Sequence, residues 1–402
     1  LALKTELLAP AGNLERLKWA VAYGADAVYF GVADFSLRSY AGNFTLDDAR
    51  VGLDYLHANG CKGYVTLNIY PFSDEYDALM RTAAELDEMG ADAFIVSDLG
   101  VMRGLSQLNL RTPIHVSTQA NTTSWQTVLA YRDLGAKRVN LARELSLEQI
   151  KTIQSRLDGE QVETEVFIHG SVCFSYSGRC AISDYLTGRI ANRGECTQPC
   201  RWNYTLMEEK RPGQHFPVFE DERGLYLFNS RDLALFQYVP ELVDCGVASL
   251  KIEGRMKNVH YLAAVLSVYR AVLDGQPMPE ETAYKLLGRV SNRGYTAGFM
   301  KGKITADDYE TSTHRYQATS VMVASTTEQT SGDQRVCKVK NTIQASEQLE
   351  LLTPLGVSTY TLPNPLVTVE GESIDHANNQ DAIVPPDDLP PFAVLRRVTE
   401  AE

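Results

Sequence analysis

Along the first 275 residues, two hydrophobic rhythms take turns. A short β-rich run ends in small or polar residues, and an amphipathic stretch with helical spacing follows. The runs "ELLAP", "ADAVYFGV", "GYVTLNIY", "ADAFIVSD", "PIHVSTQ", "RVNLARE", "VETEVFIHG" and "VASLKIEGR" predict eight strands. Stretches such as "LERLKWAVAYG", "LDDARVGLDYLHANG", "DEYDALMRTAAELDEMG" and "SWQTVLAYRDLG" predict helices between them. Most stop at a Gly, where the residue after a helix wants φ > 0. Eight strand–helix units in a row predict an α/β fold, a (β/α)8 TIM-like barrel over residues 1–275. A doubly wound open sheet fits less well, because no glycine fingerprint follows the first strand.

One connection breaks the rhythm. After the seventh strand, about sixty residues pass before the next helical run, "LALFQYVPELVDCG". A loop that long in a compact domain is usually functional. In a barrel it lies on the C-terminal face, where active sites are built. This insertion, residues 170–230, contains "CFSYSGRC" and "NRGECTQPCRW". Past residue 304 the pattern becomes short, alternating, Thr- and Val-rich runs such as "YQATSVMVAS" and "QLELLTPLG". They predict a small all-β domain, a β-barrel or sandwich over 304–402, joined by a connector at 276–303.

Composition narrows the setting. The chain has 402 residues, 44% of them hydrophobic and 22% charged, so its core needs no disulfides. No basic-then-apolar leader and no apolar run of membrane-spanning length are visible, so a cytoplasmic protein with no membrane partner is expected. Thiols stay reduced there, and clustered cysteines are catalytic or metal-binding more often than disulfide-forming. The net charge of −13 repels phosphate at long range, so any nucleic-acid contact must use a local basic face.

Residues at the C-terminal ends of barrel strands share one mouth. Here they are Asn68, Ser97, Asp98, Ser117, Gln119, Arg143, Glu144, His169, Lys251, Glu253 and Arg255. Asp98 and Ser117 suit helix caps equally well. Long cations at strand ends suit an anionic ligand or an RNA phosphate; the plainer reading pairs them with Glu144 and Glu253. His169 stands just before the cysteine loop and is a candidate proton carrier, although a lone histidine is often structural. No G-x-S-x-G, H-E-x-x-H or P-loop pattern occurs.

The insertion holds four of the seven cysteines, Cys173, Cys180, Cys196 and Cys200, spaced C-x6-C-x15-C-x3-C. Zinc ribbons favour C-x2-C pairs. An iron–sulfur cluster tolerates wider spacings because its corners lie further apart than ligands on one ion. Structural zinc and four unrelated buried thiols remain the alternatives. Cys61, Cys245 and Cys337 stand singly and are expected in the core.

"EVFIHGSVCFSYSGRC" resembles the signature of the bacterial collagenase-like peptidase family, whose catalytic type is unassigned. "ELLAPAGNLERLKWAVAYGADAVYFG", "NRGECTQPCRW", "FEDERGLYLFNSRDL", "SLKIEGRMKN" and "NRGYTAGF" extend the likeness over nearly the whole chain. Within the family, the chain is most similar to the branch associated with prephenate-dependent 5-hydroxylation of the wobble uridine of tRNA. The resemblance implies an iron–sulfur cluster of the 4Fe–4S type on Cys173, Cys180, Cys196 and Cys200, with tRNA as partner and prephenate as a small anionic cosubstrate. An electron donor or assembly partner is not identified. Where some ubiquinone-pathway relatives carry a cysteine after "NSRDL", this chain has Ala234. Those relatives also lack the C-terminal β domain. The stretch between Trp202 and "FEDERG" is shorter than in some relatives.

The alternatives are a peptidase, an iron–sulfur hydroxylase of a small aromatic, and a non-catalytic RNA-binding or assembly protein. In the RNA-modifying reading, Tyr176, Tyr185 and Trp202 could stack a splayed base; the plainer reading has them pack the loop. The β domain, which has no catalytic constellation, is expected to help bind the RNA.

Overall fold

The computed structural model describes residues 5–33, 35–36, 43–173, 175–176, 180, 182–201, 219–221, 224–226, 230–304, 308, 316–386 and 389–399. Strands β1 (Glu6–Pro10), β2 (Ala27–Gly31), β3 (Lys62–Leu67), β4 (Ala93–Val96), β5 (Ile114–Val116), β6 (Ala136–Asn140) and β7 (Glu163–Gly170) lie side by side in parallel. An eighth strand, Ser249–Ile252, pairs in parallel with both β7 and β1 and closes the cylinder. The (β/α)8 expectation holds, and all eight predicted runs supply a strand.

The local signals explain the helices between them. In the helix Leu46–Ala58, Thr45 and Asp48 form a reciprocal capping box, and Ser146 and Gln149 do the same for the helix Leu147–Arg156. The helix Tyr76–Glu88 ends before Gly90, which takes φ +86° and turns the chain into β4. Strands covered by helices outside and filled inside are buried on both faces, which is why they read as near-continuous apolar runs. Inside the barrel, Leu8, Ala27, Tyr29, Tyr64, Ala93 and Ile95 form one buried cluster.

The chain divides into two compact units that interleave in sequence. The first comprises Leu1–Val21, Ala25–Lys257 and Arg293–Tyr316; the second comprises Ala22–Gly24, Asn258–Asn292 and Gln317–Glu402. The linear boundaries expected at 275 and 304 are therefore displaced. The helix Val259–Leu273, eighth in the barrel rhythm, groups with the second unit. Residues from Arg293 onward return to the first, because Arg293 makes a buried ion pair with Asp232 (2.6 Å) and Tyr295–Thr296 pairs with the strand Asp232–Ala234.

The second unit is all-β apart from Val259–Leu273 and Glu280–Gly288. Its antiparallel sheet runs in the order Gly356–Thr361, Gln348–Thr353, Val394–Val398, Ser320–Ser331, Gln334–Val339 and Ala382–Ile383. Among the described residues no strand pairing joins its two ends, so the expected small barrel is an open sheet with two short accessory ladders. Cys337 sits in its core, as expected. No described helix is long and apolar enough to cross a membrane.

A candidate active site at the barrel mouth

The barrel interior is more polar than a parallel barrel requires, since such interiors are mostly layers of branched apolar side chains. At its N-terminal end, Glu6 accepts hydrogen bonds from Tyr64 (2.6 Å), Arg138 (2.7 Å) and Ser249 (3.1 Å), all buried. Arg138 also reaches Glu163 at 2.7 Å and Glu165 at 3.8 Å. One layer up, Glu165 accepts from Asn140 (2.7 Å) and from the Lys251 ammonium (2.8 Å). The sequence reading missed Glu6, Tyr64, Arg138, Asn140 and Glu165. Their signal was present: polar residues at every second position of strands otherwise buried on both faces point inward.

Above this floor lies a cavity of about 160 Å3. Its walls bring together Cys173, Cys180, Cys196 and Cys200 with Arg143, Lys251, Glu253 and Arg255. The Lys251 ammonium stands 4.4 Å from the centre of the Tyr29 ring. Burial pulls its pKa below the ordinary lysine value, with Glu165 opposing. The Arg143 guanidinium stacks 4.2 Å over Phe167 and donates to the Ser171 carbonyl (3.3 Å). Its buried Nε has no hydrogen-bond acceptor. Arg255 donates to Asn43 (2.6 Å), Thr66 (3.4 Å) and Ser36. Lys251 thus takes its carboxylate from Glu165 on β7. Glu144 lines a smaller adjoining cavity of about 100 Å3 with Arg143, Arg231 and Asp308.

On the far wall, Gln119 Oε1 accepts from Asn68 (3.0 Å), Ser97 (3.1 Å) and Ser117 (3.1 Å). Of the two residues that suited helix caps, Asp98 is one: it accepts from the Val101 amide at 2.9 Å. Ser117 belongs to the cavity.

The insertion places its thiols through local hydrogen bonds. The Cys180 amide donates to Asn192 (3.3 Å), and the Thr197 amide donates to Ser183 (3.1 Å). These contacts bring the segment carrying Cys196 against the helix Ile182–Thr187 that follows Cys180. Gln198 adopts φ +56°, and its amide donates to the Cys196 sulfur at 3.4 Å. Among the described residues, no three His, Cys, Asp or Glu side chains stand close enough to hold a single metal ion. Tyr176 borders the adjoining cavity, and Tyr185 is 88% exposed and so does not pack the loop. Trp202, the residues 222, 223 and 227–229 of "FEDERGLYLFNSRDL" and the shortened stretch before it lie outside the described residues.

His169 does not join the cysteines. The register of β7 slips against Ser249–Ile252: Lys251 faces Phe167, but Ile252 faces His169, with Ile168 left over. Such a bulge reverses which face the following side chain takes. The imidazole is buried with its ring 5.5 Å from that of Tyr295. Burial drives its pKa down to about 3; Lys257 adds to this and Asp232 opposes it. So weak a base is ill suited to activating a thiol or a water near neutral pH.

A family model described as "Peptidase family U32" matches residues 12–310. The chain belongs to that family. Among its relatives, tRNA hydroxylation protein P of Escherichia coli K12 is 36% identical over 416 residues, covering 92% of this chain and 91% of that one. The 23S rRNA 5-hydroxycytidine C2501 synthase of the same organism is 38% identical over 274 residues, 67% of this chain and 39% of that one. A collagenase of Porphyromonas gingivalis is 32% identical over 327 residues, 77% of this chain and 76% of that one. The family resemblance read from the motifs is borne out.

The state of His169 has a measurable consequence. Its folded pKa lies near 3 against about 6.5 in the unfolded chain. Between those values the unfolded chain binds more protons. The neutral ring's contribution to stability is therefore full above pH 6.5 and is lost as pH falls towards 3. The His169 ring resonances of isotope-labelled protein should stay in their neutral position at pH 5. A midpoint near 6.5 would mean that the ring is solvated.

Proposed function

We propose that this member of family U32 hydroxylates RNA, at C5 of the wobble uridine of tRNA, with Cys173, Cys180, Cys196 and Cys200 holding an iron–sulfur cluster of the 4Fe–4S type. The observation that carries the reading is the convergence of four thiols and three cations on one cavity above the Lys251–Glu165 pair. The two Escherichia coli relatives support it: their names describe hydroxylation of RNA, in the ribosomal case at position 5 of a pyrimidine.

The donor set fits such a group in kind. All four candidate ligands are thiols, and they line one cavity without the tight approach that a tetrahedral zinc site needs, where each sulfur lies about 2.3 Å from one ion. A cubane spans thiols further apart. The Gln198 amide on Cys196 is the kind of contact that tunes a ligating sulfur. When bound, the cluster would supply one-electron redox chemistry at the cavity; converting C5–H to C5–OH with an oxygen atom from water releases two protons and two electrons, and the cluster would pass those electrons one at a time to an external electron acceptor.

The chain's own residues bind and orient. Arg143, with a buried Nε lacking an acceptor, and the cations Lys251 and Arg255 form a site for a small carboxylate, and prephenate is the cosubstrate proposed for it. Three donors fix the Gln119 side-chain oxygen and so set the polar face of the cavity wall. Exposed Tyr176 and Tyr185 offer faces on which an unpaired anticodon base can stack. Peptide hydrolysis, the reading favoured by the collagenase relative, lacks an effective base in the buried His169.

Two measurements test this. Nucleosides of tRNA from cells lacking the protein should lose 5-hydroxyuridine and its derivatives by mass spectrometry. The wild-type gene should restore them; Cys173→Ala and Cys196→Ala should not. An unchanged nucleoside profile in the deletion strain would contradict the reading. Protein purified without oxygen should contain iron and sulfide in cluster stoichiometry with a visible charge-transfer spectrum, whereas stoichiometric zinc without iron would remove the cluster from the account.

A further inference from the structure

The second unit has a site of its own. A cavity of about 510 Å3 lies between the helices Val259–Leu273 and Glu280–Gly288 and the turn joining Gln348–Thr353 to Gly356–Thr361. Its charged lining is four cations, Arg270, Lys285, Arg289 and Arg396, against two carboxylates, Asp274 and Glu350. Asp274 is engaged by Arg270 at 2.7 Å. Glu350 is shared: Arg396 reaches one oxygen at 2.6 Å and Arg289 the other at 3.3 Å.

Both of these guanidinium groups are buried, Arg396 at 1% exposure and Arg289 at 7%. The other ionisable neighbours, Tyr23 and His260, offer no negative charge; burial raises the pKa of the Tyr23 hydroxyl, which stays protonated. His260 lies 3.2 Å from Arg396, and burial and the two arginines drive its pKa down to about 3, so it stays neutral. Two desolvated positive charges therefore share one negative charge in the wall of an open cavity, inside a protein whose net charge is −13. Water screens such an excess poorly, and an anion entering the cavity balances it. The rim is amphipathic. Lys285 is exposed on one side, and on the other Leu355 at the tip of the turn is 96% exposed, beside Val357 at 48%.

We infer that this cavity binds a backbone phosphate of the RNA substrate, with the apolar lip receiving the adjoining ribose or base. The inference rests on the RNA reading above and adds to it a named anchor in the second unit. A phosphodiester supplies the missing negative charge, and its sugar and base supply the apolar surface that Leu355 and Val357 would otherwise present to water. A free phosphate shares only the first of these features.

The test uses the intact protein and fluorescently labelled tRNA, with binding followed by anisotropy over a series of salt concentrations. Lys285→Glu changes an exposed rim residue and leaves the buried pairs intact. Arg289→Gln removes one of the two buried cations, and a thermal melt confirms that this variant is folded. Each should weaken tRNA binding by about tenfold near 0.1 M salt and reduce the slope of log affinity against log salt by about 1. In parallel, inorganic phosphate is titrated into both variants and the wild type by thermal shift. If both variants bind tRNA with wild-type affinity and slope, the inference is overturned; phosphate binding that persists only in the wild type would then make the cavity a small-anion site. If the wild-type protein binds no tRNA at all, the RNA reading fails and this inference falls with it. Normal tRNA hydroxylation by the wild type, with unaltered binding by both variants, would remove the anchor alone.

Discussion

The ion pair between Lys251 and Glu165 is the contact on which the site depends. It joins the strand that closes the barrel to its neighbour β7, with both side chains buried. It holds an ammonium group in the wall of the cavity that four cysteines also line. Removing one partner of such a pair leaves an uncompensated buried charge at a cost of about 3–5 kcal/mol, whereas replacing both by apolar groups is often neutral. The pair is therefore weak as a device for stability and strong as a device for keeping a cation in place. The same argument extends downward through Arg138 to Glu6, so that negative and positive groups alternate through the interior of the barrel, with the neutral hydroxyls of Tyr64 and Ser249 donating to Glu6.

Much of this was legible in the sequence, for identifiable reasons. The eight strands announced themselves because parallel strands buried on both faces are unbroken apolar runs, and the helices because capping boxes such as Thr45–Asp48 and stops such as Gly90 are local chemistry. The four clustered cysteines and the strand-end cations were visible as residue types in an insertion, and they do line one cavity. His169 was misplaced because a one-residue slip opposite Ile252 leaves no mark in composition or periodicity. The counter-ion of Lys251 was not legible, because Glu165 is near it only once β7 and the closing strand are paired. The domain boundaries were displaced because a linear reading cannot show that Arg293 returns to Asp232.

A second regularity concerns charge. On the proposed reading, an acidic chain that acts on RNA has to gather its positive charge where the RNA would touch it. The first unit does so at the cavity with Arg143, Lys251 and Arg255, and the second with Arg270, Lys285, Arg289 and Arg396. In both places the cations are partly matched by carboxylates, Glu165 in one and Glu350 in the other, so that a positive charge is held without collapsing the surrounding structure. The surplus left after pairing is what an anionic substrate can use.

The central claim is that the Lys251–Glu165 pair serves the reaction and is not needed for the fold. The most direct measurement replaces both partners at once, Lys251→Met with Glu165→Met, in cells that depend on this protein for tRNA hydroxylation. The account predicts that the purified double variant melts within a few degrees of the wild type while the hydroxylated nucleoside disappears from tRNA. A double variant that hydroxylates tRNA at the wild-type level would contradict it.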